Sequence, residues 1–195
     1  MFLCAWGVEE KMAKAMSPAM KVASVFLIFI LASATGGLAQ SPQKLDAAIK
    51  QLSSFSTDPE VVRAVKAYNS TPRSPEEMAM TNEKWHNLTV FDPFVREVGK
   101  TPLSTYLKSK RDDVIVKVFV SGADGGKVGF DAKTEHWTHK GMPKHDVPMS
   151  GKVWTGAAKL DDSTGLQIVQ VGLPVLDRGN PIGSIVFGLR VDKLR

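Results

Sequence analysis

The chain has 195 residues, 43% of them hydrophobic, with a formal net charge of +5 and one cysteine. That is enough apolar material for one domain with a core, which excludes a disordered chain. Its basic residues are dispersed among carboxylates, and only KSKR at 108–111 forms a short cluster. A nucleic-acid binder concentrates its positive charge beside stacking aromatics or a groove-reading helix, so that class is excluded and the charge reads as a solubility feature.

Residues 1–39 read as a removable extension. From Met20 the stretch MKVASVFLIFILASATGGLAQ has a positive start at Lys21, a 13-residue apolar run from Val22 to Ala34, and small residues at Gly37 and Ala39. This is the three-part layout of a secretory signal, with cleavage expected after Ala39. A membrane anchor is the competing reading, but a spanning helix needs about 20 apolar residues and this run is shorter. Met12, Met16 and Met20 are alternative starts. Cleavage removes Cys4 and a net charge of one, from Lys11, Lys14 and Lys21 against Glu9 and Glu10, leaving +4. A mature chain without cysteine has no internal disulfide, thiolate metal site or cysteine nucleophile, and its export points to a bacterial periplasm.

The mature chain divides into a helical region, residues 40–110, and a sheet domain, residues 111–195. Leu45, Ala48, Ile49, Leu52 and Phe55 recur at helical spacing and predict an amphipathic first helix. Asp58-Pro59 predicts the cap and first turn of a second, with Val61, Val62, Val65 and Tyr68 inward. SPEE at 74–77 has the form of a capping box and opens a helix expected to reach Trp85. Asp92-Pro93 and Thr101-Pro102 start two shorter pieces ending near Leu107.

Beyond Arg111 the period changes to that of strands. Val114, Ile115, Val116, Val118 and Val120 predict the first strand, SGADGG a turn, and residues 127–131 the second. Residues 132–150 follow neither period and contain two prolines, which predicts a short helix over 134–139 and then a loop. Strands are expected at 152–160, 166–176 and 181–192, five in all, antiparallel because their turns are short. Val169, Val171, Leu173 and Val175 alternate with polar or small residues, as do Ile185, Phe187, Leu189 and Val191, giving one apolar face. Pro174 belongs at an edge, bulge or strand end, and Gly172, Gly183 and Gly188 mark places where the sheet bends or another group comes close.

This order of elements resembles the extracytoplasmic Cache sensor domains, whose sheet is PAS-like. The likeness is carried by STGLQIVQVGLPVLD and GNPIGSIVFGLRVDKL at the end of the chain, and by GFDAKTEHW, where a Lys-Thr pair precedes Trp137. It covers residues 58–193. The resemblance implies an α+β fold, a PAS-like five-stranded antiparallel sheet with a long N-terminal helical region, binding a small molecule under its irregular segment without catalysis. Cache domains commonly sit between membrane helices with a kinase, cyclase or chemotaxis module behind them. This sequence ends at Arg195, so the expectation is that it acts through a membrane-bound signalling partner. The segment THKGMPKHD at 138–146 departs from the family in its His and Lys content, so ligand identity does not carry over.

Within that frame Trp137, Thr134 and Trp154 are candidates to line the pocket, with Lys117 or Arg190 neutralising a carboxylate and Asp131 accepting from an amine or hydroxyl. The expected ligand class is a carboxylate or amino acid; the bland alternative is that the tryptophans fill the core and the charges face water. His136, His139 and His145, with Asp146 beside them, are the metal candidates, because imidazoles three apart on a helix share a face. Their spacing matches no established zinc pattern, and exposed histidines are the competing reading. No GxSxG, HExxH or phosphate loop occurs, so no enzyme activity and no cofactor are expected. Asn69 and Asn87 match the glycosylation pattern and are expected to be unmodified in a periplasm. A second function class is a structural or interaction protein with a filled pocket that forms a homodimer through its N-terminal helix.

Overall fold

The computed structural model describes residues 42–162 and 164–194. The expected signal peptide and its cleavage point lie outside the described residues. No helix among the described residues is long and apolar enough to cross a membrane.

The helical region comprises α1 (Pro42–Leu52), a 3-10 turn (Ser53–Thr57), α2 (Pro59–Ser70), α3 (Pro75–Ala79), α4 (Asn82–Asn87), α5 (Pro93–Gly99) and α6 (Pro102–Ser109). Its starts follow local chemistry. Asp58 accepts from the backbone N–H groups of Glu60 and Val61 ahead of α2. Ser74 and Glu77 close the capping box of α3 reciprocally. Thr101 Oγ1 accepts from Ser104 N at the start of α6, each satisfying a donor that a helix start leaves open. The helix expected from Ser74 to Trp85 is two helices. Met80 is extended, with ψ 119°, and Thr81 caps a new start by accepting from Lys84 N. The break lets Asn82 exchange two hydrogen bonds with the backbone of Thr138, so a tertiary contact overrides a continuous pattern.

The sheet comprises β1 (Ile115–Gly122), β2 (Lys127–Phe130), β3 (Trp154–Thr155), β4 (Lys159–Asp161), β5 (Leu166–Asp177) and β6 (Asn180–Arg190), with α7 (Pro143–Met149) between β2 and β3 and a closing 3-10 turn (Val191–Lys193). All pairings are antiparallel, in the order β2-β1-β6-β5-β3, with β4 also on β5. The α+β, PAS-like class holds, with six strands in place of five because the strand expected over 152–160 splits into β3 and β4. The β5–β6 hairpin turns through Arg178 and Gly179, both at positive φ (51° and 84°), as a two-residue turn matched to strand twist requires. Pro174 sits on the outer side of β5 past the reach of β3, which pairs only with Val171 and Gly172, so no ladder bond is lost there.

The short helix expected over 134–139 is absent, and the loop expected after it contains α7. Pro143 stands at the first position of α7, where its missing N–H costs nothing, and Pro148 lies in its last turn, where it deprives only the Lys144 carbonyl of a helical donor. Residues 132–142 run as irregular chain held by specific bonds. Trp85 Nε1 donates to Thr134 O (2.6 Å), His139 N to Gly125 O (2.9 Å), and Asn82 binds Thr138.

One face of the sheet carries the main core. Val118, Val120, Val169, Val171, Leu173, Val175, Ile185, Phe187 and Leu189 pack against Leu52, Val61, Val65, Leu103 and Leu107 from α1, α2 and α6. The opposite face is divided. Towards β2, an aromatic cluster of Trp85, Phe94, Phe119, Phe130 and Trp137 fills the space under α4 and α5. Towards β5 lies a cleft.

Candidate functional site

The cleft opens between the second sheet face and the segment 134–144, with β4 at its rim. The space in it that a water-sized sphere can reach is about 30 Å³, room for one or two waters and well below a small-molecule site, so a larger ligand needs the segment 134–144 or the β4 rim to move aside. Lys117 and Phe119 of β1 and Gln170 of β5 form the floor; Thr134, Glu135, His136, His139 and Lys144 form one wall, and Lys159 and Asp161 of β4 the other.

Two glycines let these parts approach. A Cβ on Gly172 would lie 2.7 Å from the carbonyl oxygen of Lys144, so only glycine admits α7 this close to β5. A Cβ on Gly188 would meet Lys117 Cβ at 2.9 Å, across the β1–β6 ladder. Both are consistent with the close approach that glycine inside a strand permits.

The cleft is cationic. Lys117 Nζ is 2.7 Å from Asp161 Oδ2, and both side chains are largely buried. Asp161 is fixed in turn by Thr164, whose N–H and hydroxyl both reach Oδ1 at 3.1 Å. Lys144 has no carboxylate within ion-pair distance among the described residues. Burial, followed by the charges of Lys159 and Lys117, holds its pKa below the usual lysine value. His136 is likewise lowered, first by burial.

Behind this wall lies a second layer. A bulge pairs Val120 with Gly129 and Ser121 with Lys127, leaving Val128 as the extra residue. Lys127 and Phe130, three apart, therefore reach the same sheet face. Lys127 is 2% exposed, with Nζ 4.1 Å from the centroid of the Phe119 ring and 3.3 Å from His139 Nδ1. His139 stacks on Phe119 with centroids 4.6 Å apart. Burial, then Lys144, pushes Lys127 well below the usual lysine value. Burial, then Lys127 and Lys144, pushes His139 far below the ordinary imidazole value. His139 is therefore neutral at physiological pH, and burial biases Lys127 towards its neutral form. Ser121 is fully buried, its Oγ 3.5 Å from His139 Nδ1, the outer limit of a hydrogen bond and out of reach of a substrate, so the pair is a packing contact.

The residues singled out in the sequence separate on this surface. Lys117 and Thr134 line the cleft, and so do His136 and His139. Thr134 donates to His136 O (2.9 Å) and shapes the wall. Trp137 is 5% exposed and stands in the aromatic cluster, its ring centroid 5.3 Å from Trp85 and 5.2 Å from Phe94, away from the cleft. Trp154 is half-buried on β3, its ring against Gly156. Asp131 is a structural group. Its Oδ1 accepts from Val118 N at 2.9 Å, and its Oδ2 lies 3.3 Å from Arg111 Nη1 with no hydrogen bond. Burial raises its pKa against those two partners. His136, His139 and His145 do not converge on a metal, because the segment 134–139 is not a helix and His145 points to Ser184 Oγ at 2.8 Å. Among the described residues no group of three or more His, Cys, Asp or Glu is placed to hold a metal ion.

Sequence reasoning missed Lys127, Lys144, Lys159, Asp161 and Gln170. The His and Lys content of 138–146 is the one sequence signal that points to Lys144. The bulge that turns Lys127 inward has no mark in the sequence.

No protein-family model and no curated protein matches the sequence. Solved structures of similar shape include the sensor domain of the Vibrio cholerae histidine kinase DctB, at TM-score 0.43 and 11% identity over 76% of this chain and 51% of that one. The ligand-binding domain of the Campylobacter jejuni chemoreceptor Tlp3 in complex with 4-methylisoleucine is similar at TM-score 0.38 and 11% identity, over 78% of this chain and 55% of that one. That of the Pseudomonas aeruginosa amino acid chemoreceptor PctC in complex with GABA stands at TM-score 0.34 and 14% identity, over 77% and 63%. The chain spans between half and two thirds of the length of these domains.

Proposed function

We propose that the chain is a Cache-type sensing domain, non-catalytic, that binds a small anionic molecule such as a carboxylate or amino acid in the cleft and passes the event to a membrane-bound signalling partner. The observation that carries this reading is the charge of the cleft. Lys117, Lys144 and Lys159 stand against Asp161 and Glu135, beside the uncharged imidazoles of His136 and His139, and lysines crowded into a partly desolvated site are stabilised by an incoming anion. Lys117 and Thr134 are the sequence-derived residues best placed to contact it, and Lys144, partly buried and without an ion-pair partner among the described residues, supplies the charge. The signal-like layout from Met20 to Ala39 supports a periplasmic location after cleavage.

Thermal unfolding of the protein in the presence of acetate, succinate, glycine, L-alanine and inorganic phosphate tests the reading. A ligand at 100 times its Kd adds about 2.7 kcal/mol and raises the midpoint by several degrees. The shift is expected for an anion and is expected to be lost in Lys144→Ala. A flat response across the panel, at concentrations up to tens of millimolar, overturns it.

A further inference from the structure

The inner layer of the cleft holds two bases and no acid. Lys127 Nζ and His139 Nδ1 are 3.3 Å apart, both residues are 2% exposed, and Phe119 closes one side of the pair. The charged and titratable groups that face them come from every packed element. Lys117 comes from β1, Glu135 and His136 from the irregular segment, and Lys144 and His145 from α7. Asp161 and Lys159 come from β4. Glu135 is exposed at the mouth and Asp161 is held by Lys117 and Thr164, so the carboxylates are on the outside and the pair faces an excess of positive charge. His139 nevertheless lines the cleft, so an anion bound there meets His139, the outer member of the pair, with Lys127 directly behind it.

We propose that the cleft takes up its anion together with a proton, which lodges on the Lys127–His139 pair. The inference deepens the anion-binding reading and rests on it. An anion against His139 reverses the local charge, and two buried basic nitrogens 3.3 Å apart can then hold a proton between them that burial alone opposes. In the empty state burial and Lys144 oppose a charge there. The bound state is an ion pair with the ligand, closed off from water by Phe119. Affinity then rises as pH falls, by about tenfold per unit where one whole proton is taken up. The ligand class is therefore a small anion whose binding is favoured in acid, and Lys127 is a positioning residue that supplies the second proton site.

Isothermal titration of succinate, acetate and inorganic phosphate into the purified protein, in Bis-Tris and in triethanolamine at one pH, counts the protons. Amine buffers are chosen so that no buffer anion competes. The expected result is binding of at least one probe with an apparent enthalpy that differs between buffers by uptake of close to one proton. It also includes a tenfold tightening for each unit of pH lowered. Lys127→Met keeps the volume and removes a base; it is expected to reduce both the proton count and the pH slope while binding persists. His139→Phe, which preserves the stack on Phe119, serves the same purpose should Lys127→Met not fold. Binding with equal enthalpies in the two buffers and no pH slope overturns proton coupling and leaves the anion-binding reading intact. Absence of binding by all three anions between about pH 5.5 and 8, the range around an ordinary imidazole, overturns both.

Discussion

The two faces of the sheet are built on different rules. On the face under α1, α2 and α6 the alternate residues at the centre of β1 (Val118, Val120), β5 (Val169 to Val175) and β6 (Ile185 to Leu189) are apolar and almost wholly buried, and helices with matching stripes cover it. On the other face the same strands mix Lys117, Ser121, Gln170, Gly172, Ser184 and Gly188 with the apolar Phe119, Ile168 and Val186. The cover over the cleft is an irregular segment held by one hydrogen bond from Trp85, two exchanged with Asn82 and one from His139 N to Gly125 O. The first face is held by area, the second by a few directed contacts. A region of the second kind leaves room for a ligand and for change on binding, because its local stability rests on fewer interactions.

The comparison breaks first if the apolar face tolerates a cavity. Phe187 is fully buried at the centre of β6, with its ring 5.1 Å from that of Phe55 at 60°. Phe187→Ala is expected to cost about 3–5 kcal/mol in urea unfolding, the largest effect of any single change considered. A loss below about 1 kcal/mol means that this face can collapse around the gap and is not the packed layer described.

That face was legible in the sequence, and the other was not. Alternation of Val169 to Val175 and Ile185 to Leu189 states which side is inward, because a strand has only two sides. The helix starts at Asp58, Ser74 and Thr101 were equally readable, since a cap acts over three residues. The cleft depends on contacts across the chain. Lys127 turns inward through one extra residue at Val128, Asn82 meets Thr138 over 56 positions, and α7 fits only because Gly172 lacks a side chain. The prolines of α7 argued for a loop, yet they occupy the two ends of a seven-residue helix where a proline removes least. Thr134 and Trp137 follow from the resemblance and Lys117 from strand alternation, which sets it opposite Val116 and Val118; the resemblance points Trp137 to the cleft although its neighbours are aromatic.

The buried bases give the second face an acid-sensitive character that the first lacks. His139 stays neutral in the folded protein well below pH 5, because burial and then Lys127 push its pKa down, whereas in the unfolded chain it titrates near 6.5. The unfolded state therefore binds more protons, and stability is lost as pH falls below about 6.5. His139 alone accounts for about 2 kcal/mol between pH 7 and pH 5. His145 and His136, both lowered first by burial, act with the same sign. Asp131, raised by burial, acts with the opposite sign, since a carboxyl that prefers to be neutral gains as pH falls. Urea midpoints at pH 7 and pH 5 are expected to drop less in His139→Phe than in the parent. An equal drop in both places the acid sensitivity elsewhere.

The smallest expected effect sharpens the division within the second face itself. Trp137 sits beside the cleft in sequence, one residue from His136, but its ring belongs to the dry cluster with Trp85, Phe94 and Phe130. Trp137→Phe keeps an aromatic ring and removes part of its volume, so it is expected to cost about 1–2 kcal/mol in stability. It leaves the backbone anchors untouched, because Trp85 still donates to Thr134 O and Asn82 still binds Thr138. Anion affinity is therefore expected to be unchanged once measured at a temperature where both proteins are folded. A Kd weakened tenfold or more by Trp137→Phe, with stability unaltered, would return Trp137 to the ligand site and remove the boundary between the aromatic and cationic halves of this face.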